Sequence, residues 1–479
     1  MATSEAGAKR DHLRVTVDIS NVFSDVIGEH GIARADLDAL TSRLESIKQD
    51  IDAKHANGKL PFLDLPKQDV SALEKYCAEI RDRFDTFVVV GIGGSALGNI
   101  ANQSALRHAY HNDLPAETRG GLRLEVPDNV DPDRLADLFD VLDLSRTVFN
   151  VITKSGSTAE TTSTFLVIKN RLESDPKIGA NWTKHVVITT DPEKGDLRDL
   201  AKTWKLPAFD IPAGVGGRFS VLTPVGLVSA AATGIDISEL LRGAGDMAER
   251  IRTTSIKANP AYISAAIHYL LYHHTAPKRM AVMMPYSQRL RDVADWFRQL
   301  WAESLGKERD LSGNTVNVGP TPIKALGVTD QHSQVQLYAE GPNDKLYSFI
   351  AVDRFKTDID FPEDRDLARY NAFNYFAGKT MGELLNYERE ATTLALTRKG
   401  RPNLTINVPE VTPYTVGQLY MLLEVQTVVA GALFGIDPFD QPGVEAGKVA
   451  TYALMDRPGY EEEKSQIERE LAGRGRIVL

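Results

Sequence analysis

An α/β protein with two doubly wound parallel sheets, packed together and flanked by N-terminal helices and a C-terminal helical tail, is what this 479-residue chain predicts. Three observations carry that reading. Short apolar runs stop at clusters of small or polar residues, and each is followed by a stretch able to form a helix, the pattern of parallel βαβ units. The cycle runs first from Phe87 to beyond Pro192 and begins again after Leu240. The chain is also longer than the roughly 250–300 residues at which single hydrophobic cores stop growing, so more than one domain is expected.

In chain order, Met1 to Asp11 is polar and lacks the apolar core of a secretory signal. Ala33 to His55 spaces Leu37, Leu40, Leu44, Ile47 and Ile51 at near-helical intervals. Phe87-Val-Val-Val90 runs into Gly91-Ile-Gly-Gly-Ser95. Thr147-Val-Phe-Asn-Val-Ile152 runs into Thr153-Lys-Ser-Gly-Ser-Thr158, and Val186-Val-Ile-Thr189 into Asp191-Pro192. Met280-Ala-Val-Met-Met284 opens the second cycle, with Gln288 to Leu305 as its helix. Gln334-Val-Gln-Leu-Tyr338 and Tyr347 to Val352 read as two strands around a turn at Gly341-Pro-Asn-Asp344. Tyr420 to Phe434 is the most apolar helical stretch, broken by Glu424 and Gln426 and too short to span a bilayer. Pro458 to Leu479 is charged and reads as a terminal helix. The division expected is an N-terminal helical segment over 1–60, a first domain over 61–240, a second over 241–445 and a tail over 446–479. Neither a linker nor an internal repeat is visible, and right-handed crossovers are expected. Ligands in such folds sit outside the carboxyl ends of the strands, near a switch point, where the small-residue loops lie.

Composition narrows the function classes. Hydrophobic residues make up 42% and charged residues 25%, as in ordinary soluble globular proteins. The net charge of -10 argues against nucleic-acid or anionic-membrane partners, so an anionic substrate needs a local basic pocket. Cys77 is the only cysteine, which excludes an intrachain disulfide and a Cys-rich zinc site and fits a reducing compartment. No His-Glu-x-x-His or His-x-x-Glu-His occurs, so metal catalysis is not expected. The chain reads as cytoplasmic.

Six segments hold candidate chemistry. In Gly91-Ile-Gly-Gly94-Ser95 the glycines let backbone approach a ligand, and amides at a helix start favour an anion. Gly91, Gly93 and Ala96 satisfy a loose dinucleotide fingerprint, with Glu125 as the acidic residue that can be argued for it; a tight turn without ligand is the plain structural alternative. Thr153-Lys154-Ser155-Gly-Ser157-Thr158 sets hydroxyls and a lysine at a second strand-to-helix turn, suited to the oxygens of one phosphate. Helix capping by Ser155 or Ser157 is the plain structural alternative. Gln299 and Glu303 are four apart and share a helical face, and a carboxylate among Trp301 and Leu305 is placed to act as a base, although most glutamates are simply solvated. Arg218, after Gly216 and Gly217, reaches a cleft as a permanent cation or makes a loop salt bridge. His332, between Gln331 and Ser333, is the best placed of the ten histidines to move protons near neutral pH; His273 and His274 read as structural. Lys448 follows Gly447 in Asp440-Gln441-Pro-Gly-Val-Glu445-Ala-Gly-Lys448 and is a ligand lysine or a surface one.

Gly91–Ser95, Gly216-Gly-Arg-Phe-Ser220, Gln299-Leu-Trp-Ala-Glu-Ser-Leu-Gly-Lys307, Asp330-Gln-His-Ser-Gln334 and Asp440–Lys448 together resemble the phosphoglucose isomerases, over most of the chain. The two loops rich in glycine and hydroxyls resemble the sugar-isomerase (SIS) domain, a phosphosugar-binding α/β module. Thr153 stands where the family often has serine, and Pro442 where many members have another residue. The resemblance implies interconversion of D-glucose 6-phosphate and D-fructose 6-phosphate through a cis-enediol, serving glycolysis and gluconeogenesis. It implies phosphate binding by Ser95, Thr153, Ser155 and Thr158 with Lys154 nearby, and a substrate site that includes Gly94, Gly217, Gln299 and Gln441. It implies Glu303 as the base, Arg218 as the enediolate stabiliser, and His332 and Lys448 as ring openers. It also implies no cofactor or metal, and a homodimer in which His332 comes from the partner chain. A dual phosphoglucose/phosphomannose isomerase, a non-catalytic phosphosugar sensor and, on the glycine fingerprint, an NAD-dependent dehydrogenase are the rival readings.

Overall fold

The computed structural model describes residues 11–475 and 477–479. The reading of the polar start as no secretory signal falls, for Met1 to Arg10, outside the described residues. In chain order the strands are β1 Thr16–Asp18, β2 Thr86–Val90, β3 Arg123–Glu125, β4 Thr147–Thr153, β5 Val186–Thr190 and β6 Ala208–Asp210. They continue with β7 Met280–Pro285, β8 Lys307–Arg309, β9 Thr315–Val318, β10 Thr321–Lys324, β11 Lys345–Arg354 and β12 Asn403–Glu410.

The first sheet is wholly parallel in the order β3-β2-β4-β5-β6. Strands β2, β4 and β5 are buried along their whole length, as a sheet covered on both faces requires. The period of two then decides which layer each side chain joins. Phe87, Val89, Val148 and Ile152 point into the large central core, which also takes Leu73, Cys77 and Ile80 from the helix Ser71–Arg81. Val88, Val90, Phe149 and Val151 point the other way, onto Phe165, Ile168 and Leu172 of the helix Ala159–Ser174. Trp182 and Trp204 meet in this outer layer with ring centroids 5.0 Å apart. Each fully buried Phe or Leu contributes about 1.5–3 kcal/mol. The chain leaves β2 toward β3 and crosses back to form β4 on the opposite side. The switch point therefore lies between β2 and β4, and their following loops flank one crevice.

The second sheet has the order β1-β12-β11-β7-β10, parallel except for β1, which pairs antiparallel with β12. The N-terminal segment thus closes an edge of the second sheet. Behind this sheet runs the helix Pro413–Phe434, begun by a Thr412–Thr415 capping box and ended by Gly435 at φ +71°. At 22 residues it is longer than the stretch read from sequence, and by length and composition it is able to cross a membrane. It is instead the central core helix, with 94% of its most apolar window buried inside the protein. It crosses the helix Ile237–Thr253 at glycine contacts: a Cβ on Gly243 would lie 1.8 Å from the Tyr414 carbonyl oxygen.

The expected strand at Gln334–Tyr338 is a helix, Val335–Glu340. Five residues of alternating apolar character also satisfy helical spacing, and Val335, Tyr338 and Ala339 pack together against Tyr347 and Phe349. Only the second member of the expected strand pair forms, as β11. The antiparallel pair β8–β9, which follows the helix Arg291–Leu305, had no counterpart in the sequence reading.

Candidate active site

The glycine loop after β2 makes a short turn at Gly93–Ser95, from which the helix Leu97–Leu106 departs. Gly94 has no room for a side chain, because a Cβ there would lie 2.3 Å from the Gly217 carbonyl. The two glycines let the loop after β2 touch the turn Gly217–Phe219, which places Arg218 beside the switch point. Ser220 seals the contact by donating its hydroxyl to the Gly94 carbonyl at 3.4 Å and to the Gly217 carbonyl at 2.6 Å.

The loop after β4 gathers three hydroxyls. Thr153 Oγ1 and Thr158 Oγ1 are 2.7 Å apart, and Ser155 Oγ lies 3.3 Å and 3.4 Å from them. Thr158, rather than Ser155 or Ser157, occupies the N-cap of Ala159–Ser174, and its hydroxyl makes no capping bond. The three hydroxyls therefore stand at the positive end of a 16-residue helix, an arrangement suited to a phosphate dianion. Lys154 donates to the Val215 carbonyl at 2.8 Å, tying this loop to the segment that leads into Arg218.

Arg218 is 3% exposed and fully engaged. Its Nε donates to Ser304 Oγ at 2.8 Å; one terminal nitrogen donates to Glu303 Oε2 at 3.2 Å and Gln441 Oε1 at 3.0 Å. The other donates to the carbonyls of Pro438 and Asp440, at 2.5 Å and 2.9 Å. Burial lowers its pKa from the usual guanidinium value, with the charges of Glu303, Asp440 and Asp437 opposing, and an arginine so placed remains a cation. Glu303, 30% exposed, projects from the last turn of Arg291–Leu305, and its other oxygen accepts from Gln299 Nε2 at 2.8 Å. Phe439 packs with a tilted ring on Phe219 and Phe62, at 5.2 Å and 6.3 Å between centroids, beside the segment that meets the guanidinium.

Arg218, Glu303, Gln299 and Gln441 thus form one hydrogen-bonded group, with Gly94 and Ser95 in one adjoining turn and Gly217 in Arg218's own. Thr153, Ser155 and Thr158 form a second group, whose loop Lys154 ties to Val215, three residues before Arg218. His332 is exposed in a short turn at Thr329–His332 beyond β10, and Lys448 is exposed on the helix Glu445–Leu454, paired with Glu445 at 2.7 Å. Among the described residues, no hydrogen bond or ion pair joins either to the Arg218 group. Glu125, the residue on which a dinucleotide reading leaned, ends β3 and accepts from Asn112 at 3.1 Å. One buried residue escaped sequence reasoning. Lys307, 5% exposed, donates to the Glu303 carbonyl at 2.6 Å and the Asp440 carbonyl at 2.9 Å. Its signal was its spacing, four residues after Glu303 and just beyond the helix end.

The sequence pattern of the phosphoglucose isomerases matches residues 75–472. The chain is 47% identical over 458 residues to a glucose-6-phosphate isomerase of Carboxydothermus hydrogenoformans, covering 95% of this chain and 97% of that one. It is 36% identical over 464 residues to a glucose-6-phosphate isomerase of Bacillus cereus, covering 95% and 99%. Among solved structures, a hypothetical protein of Thermus thermophilus is 36% identical, with a TM-score of 0.82 over 92% of this chain and 100% of that one. A glucose-6-phosphate isomerase of Chlamydia trachomatis, 24% identical, shares the fold with a TM-score of 0.71 over 84% of this chain and 76% of its own. The chain belongs to the phosphoglucose isomerase family.

Proposed function

We infer that the protein interconverts D-glucose 6-phosphate and D-fructose 6-phosphate through a cis-enediol. The observation that carries this reading is the buried Arg218 guanidinium, held against the Glu303 carboxylate next to a three-hydroxyl loop at a helix start. The three hydroxyls, with Ser95, bind the phosphate, and Lys154 braces their loop. Binding energy remote from the reacting carbons then fixes the sugar. His332 and Lys448, both reachable from solvent, move a proton from the C1 hydroxyl to the ring oxygen, which opens the ring. Glu303 removes the C2 proton to give the enediol(ate), the proton of the C2 hydroxyl passes to O1, and Glu303 returns its proton to C1 as the C2 carbonyl forms; reversal regenerates the aldose. Arg218 stabilises the oxyanion without giving up a proton. Gln299 and Gln441 orient the Glu303–Arg218 pair.

The working unit in this reading is a homodimer in which His332 enters the site of the partner subunit. Support comes from the solvent-facing position of His332 and from Leu367, Tyr370, Phe373 and Tyr375, exposed together on the irregular stretch 355–380. A cytoplasmic setting accords with the free thiol of Cys77.

EDTA-treated protein incubated with fructose 6-phosphate in D2O tests the reaction by proton NMR. Glucose 6-phosphate carrying some deuterium at C2 is expected. Folded protein that forms none overturns the assignment.

A further inference from the structure

We propose that Lys307 is a positioning residue for the isomerisation, holding the base and the oxyanion-stabilising arginine in register. The inference rests on the isomerase reading of the same site. Lys307 is the first residue past Gly306, which caps the helix carrying Glu303, and its ammonium is buried. It donates to the backbone carbonyl of Glu303 at 2.6 Å and to the carbonyl of Asp440 at 2.9 Å, with the Asp440 carboxylate 3.3 Å away. The Asp440 carbonyl is also an acceptor for Arg218, at 2.9 Å. One oxygen therefore serves two cations, and one ammonium bridges the residue that bears the base and the segment that cradles the guanidinium.

Two buried cations so close repel. Burial first, and then the charge of Arg218, lower the pKa of Lys307 from its usual value. An arrangement of that cost persists where both cations satisfy backbone oxygens of the same segment, 438–440. Lys307 reaches Glu303 only through its main chain, so it sets where the carboxylate sits without competing for it. A shift of about 1 Å in a catalytic group costs on the order of a hundredfold in rate, and the register of Glu303 against Arg218 is the quantity Lys307 holds. Its hydrogen bonds run to Glu303 and Asp440 rather than to the hydroxyls of the phosphate loop, so substrate anchoring is independent of it.

The test uses Lys307→Cys followed by aminoethylation, which rebuilds an ammonium at the same reach. Position 307 is itself buried, so the alkylation is done in denaturant on a Cys77→Ala background and the chain is refolded, which leaves the new thiol as the one cysteine to react. Lys307→Cys is expected to lower kcat at least about tenfold with KM within about threefold, and aminoethylation to restore most of kcat. Turnover within about twofold of the parent overturns the proposal, as does a loss that complete aminoethylation leaves in place. Lys307→Gln, a neutral donor, is the second variant and is expected to show the same split between kcat and KM. Misfolding of both variants assigns Lys307 to stability alone and also overturns the proposal. A parent protein without isomerase activity defeats the isomerase reading instead, so the two failures are distinct.

Discussion

Glu303 and Thr158 stand for the two halves of the site, and their substitutions should separate chemistry from anchoring. Glu303→Gln keeps the bond from Gln299 and the approach of Arg218 but removes the proposed base. We expect kcat to fall at least about a hundredfold while KM stays near the parent value; near-normal turnover in a coupled assay refutes the base assignment. Thr158→Val removes a hydroxyl that makes no capping bond, so the helix it begins should persist. The expected result is a raised KM with kcat largely retained, and an unchanged KM counts against phosphate binding at that position. The residue types of this site were legible in the sequence, but their meeting was not. Arg218 joins Glu303 across 85 positions and Gln441 across 223, distances over which propensity and spacing say nothing. What bridged those gaps was the resemblance of whole segments to one family. Lys307 was passed over because a lysine at a helix end reads as an ordinary solvated cap.

At the scale of elements, the helix Pro413–Phe434 carries an anomaly. Glu424 lies in its buried middle, and neither carboxylate oxygen finds a hydrogen-bond partner among the described residues. Burial raises its pKa well above 4.5, so the folded protein holds a proton that the unfolded chain releases. That stabilisation is fully present below the unfolded carboxyl range and is lost as pH rises from there through the folded pKa. Glu424→Gln does not titrate. Its unfolding free energy should therefore gain on the parent by about 1.4 kcal/mol per pH unit above the unfolded carboxyl range, until the folded pKa is passed. Urea titrations at about pH 5 and about pH 8, at equal protein concentration, should show the larger difference at the higher pH; a difference that does not change with pH refutes it. Elements were legible where one rule dominated. Strands β2, β4, β5 and β7 are continuous apolar runs ended by glycine, proline or small polar residues, and each formed within a residue or two of its expected bounds. Gln334–Tyr338 failed because its few apolar positions fit both periods, and packing against β7 and β11 chose the helix.

Over the whole molecule, the doubly wound class followed from the repeated strand-loop-helix cycle. The antiparallel edge β1 did not, since three residues at the start of a chain carry no pattern of their own until β12 lies beside them. The assembly is open to a test by subunit mixing. If His332 serves the partner's site, a mixed dimer of Glu303→Gln and His332→Ala protomers contains one site with both native residues. Random reassociation of the two inactive variants should then restore about a quarter of parent activity, since about half the dimers are mixed and each has one intact site of two. No recovery in a dimer confirmed by sedimentation places His332 in its own subunit's site or outside catalysis.

The distribution of the indoles gives this fold two built-in reporters. Trp182 and Trp204 face each other in the outer layer of the first sheet, whereas Trp296 and Trp301 lie enclosed on the helix that ends just after Glu303. Trp301, packed on the ring of His268 at 4.6 Å, is two residues from Glu303, the proposed base. Emission from the first pair follows the loosening of one lobe, and emission from the second follows any rotation of the helix that presents the carboxylate. A chain with phenylalanine at positions 182 and 204 would turn intrinsic fluorescence into a readout of that helix alone.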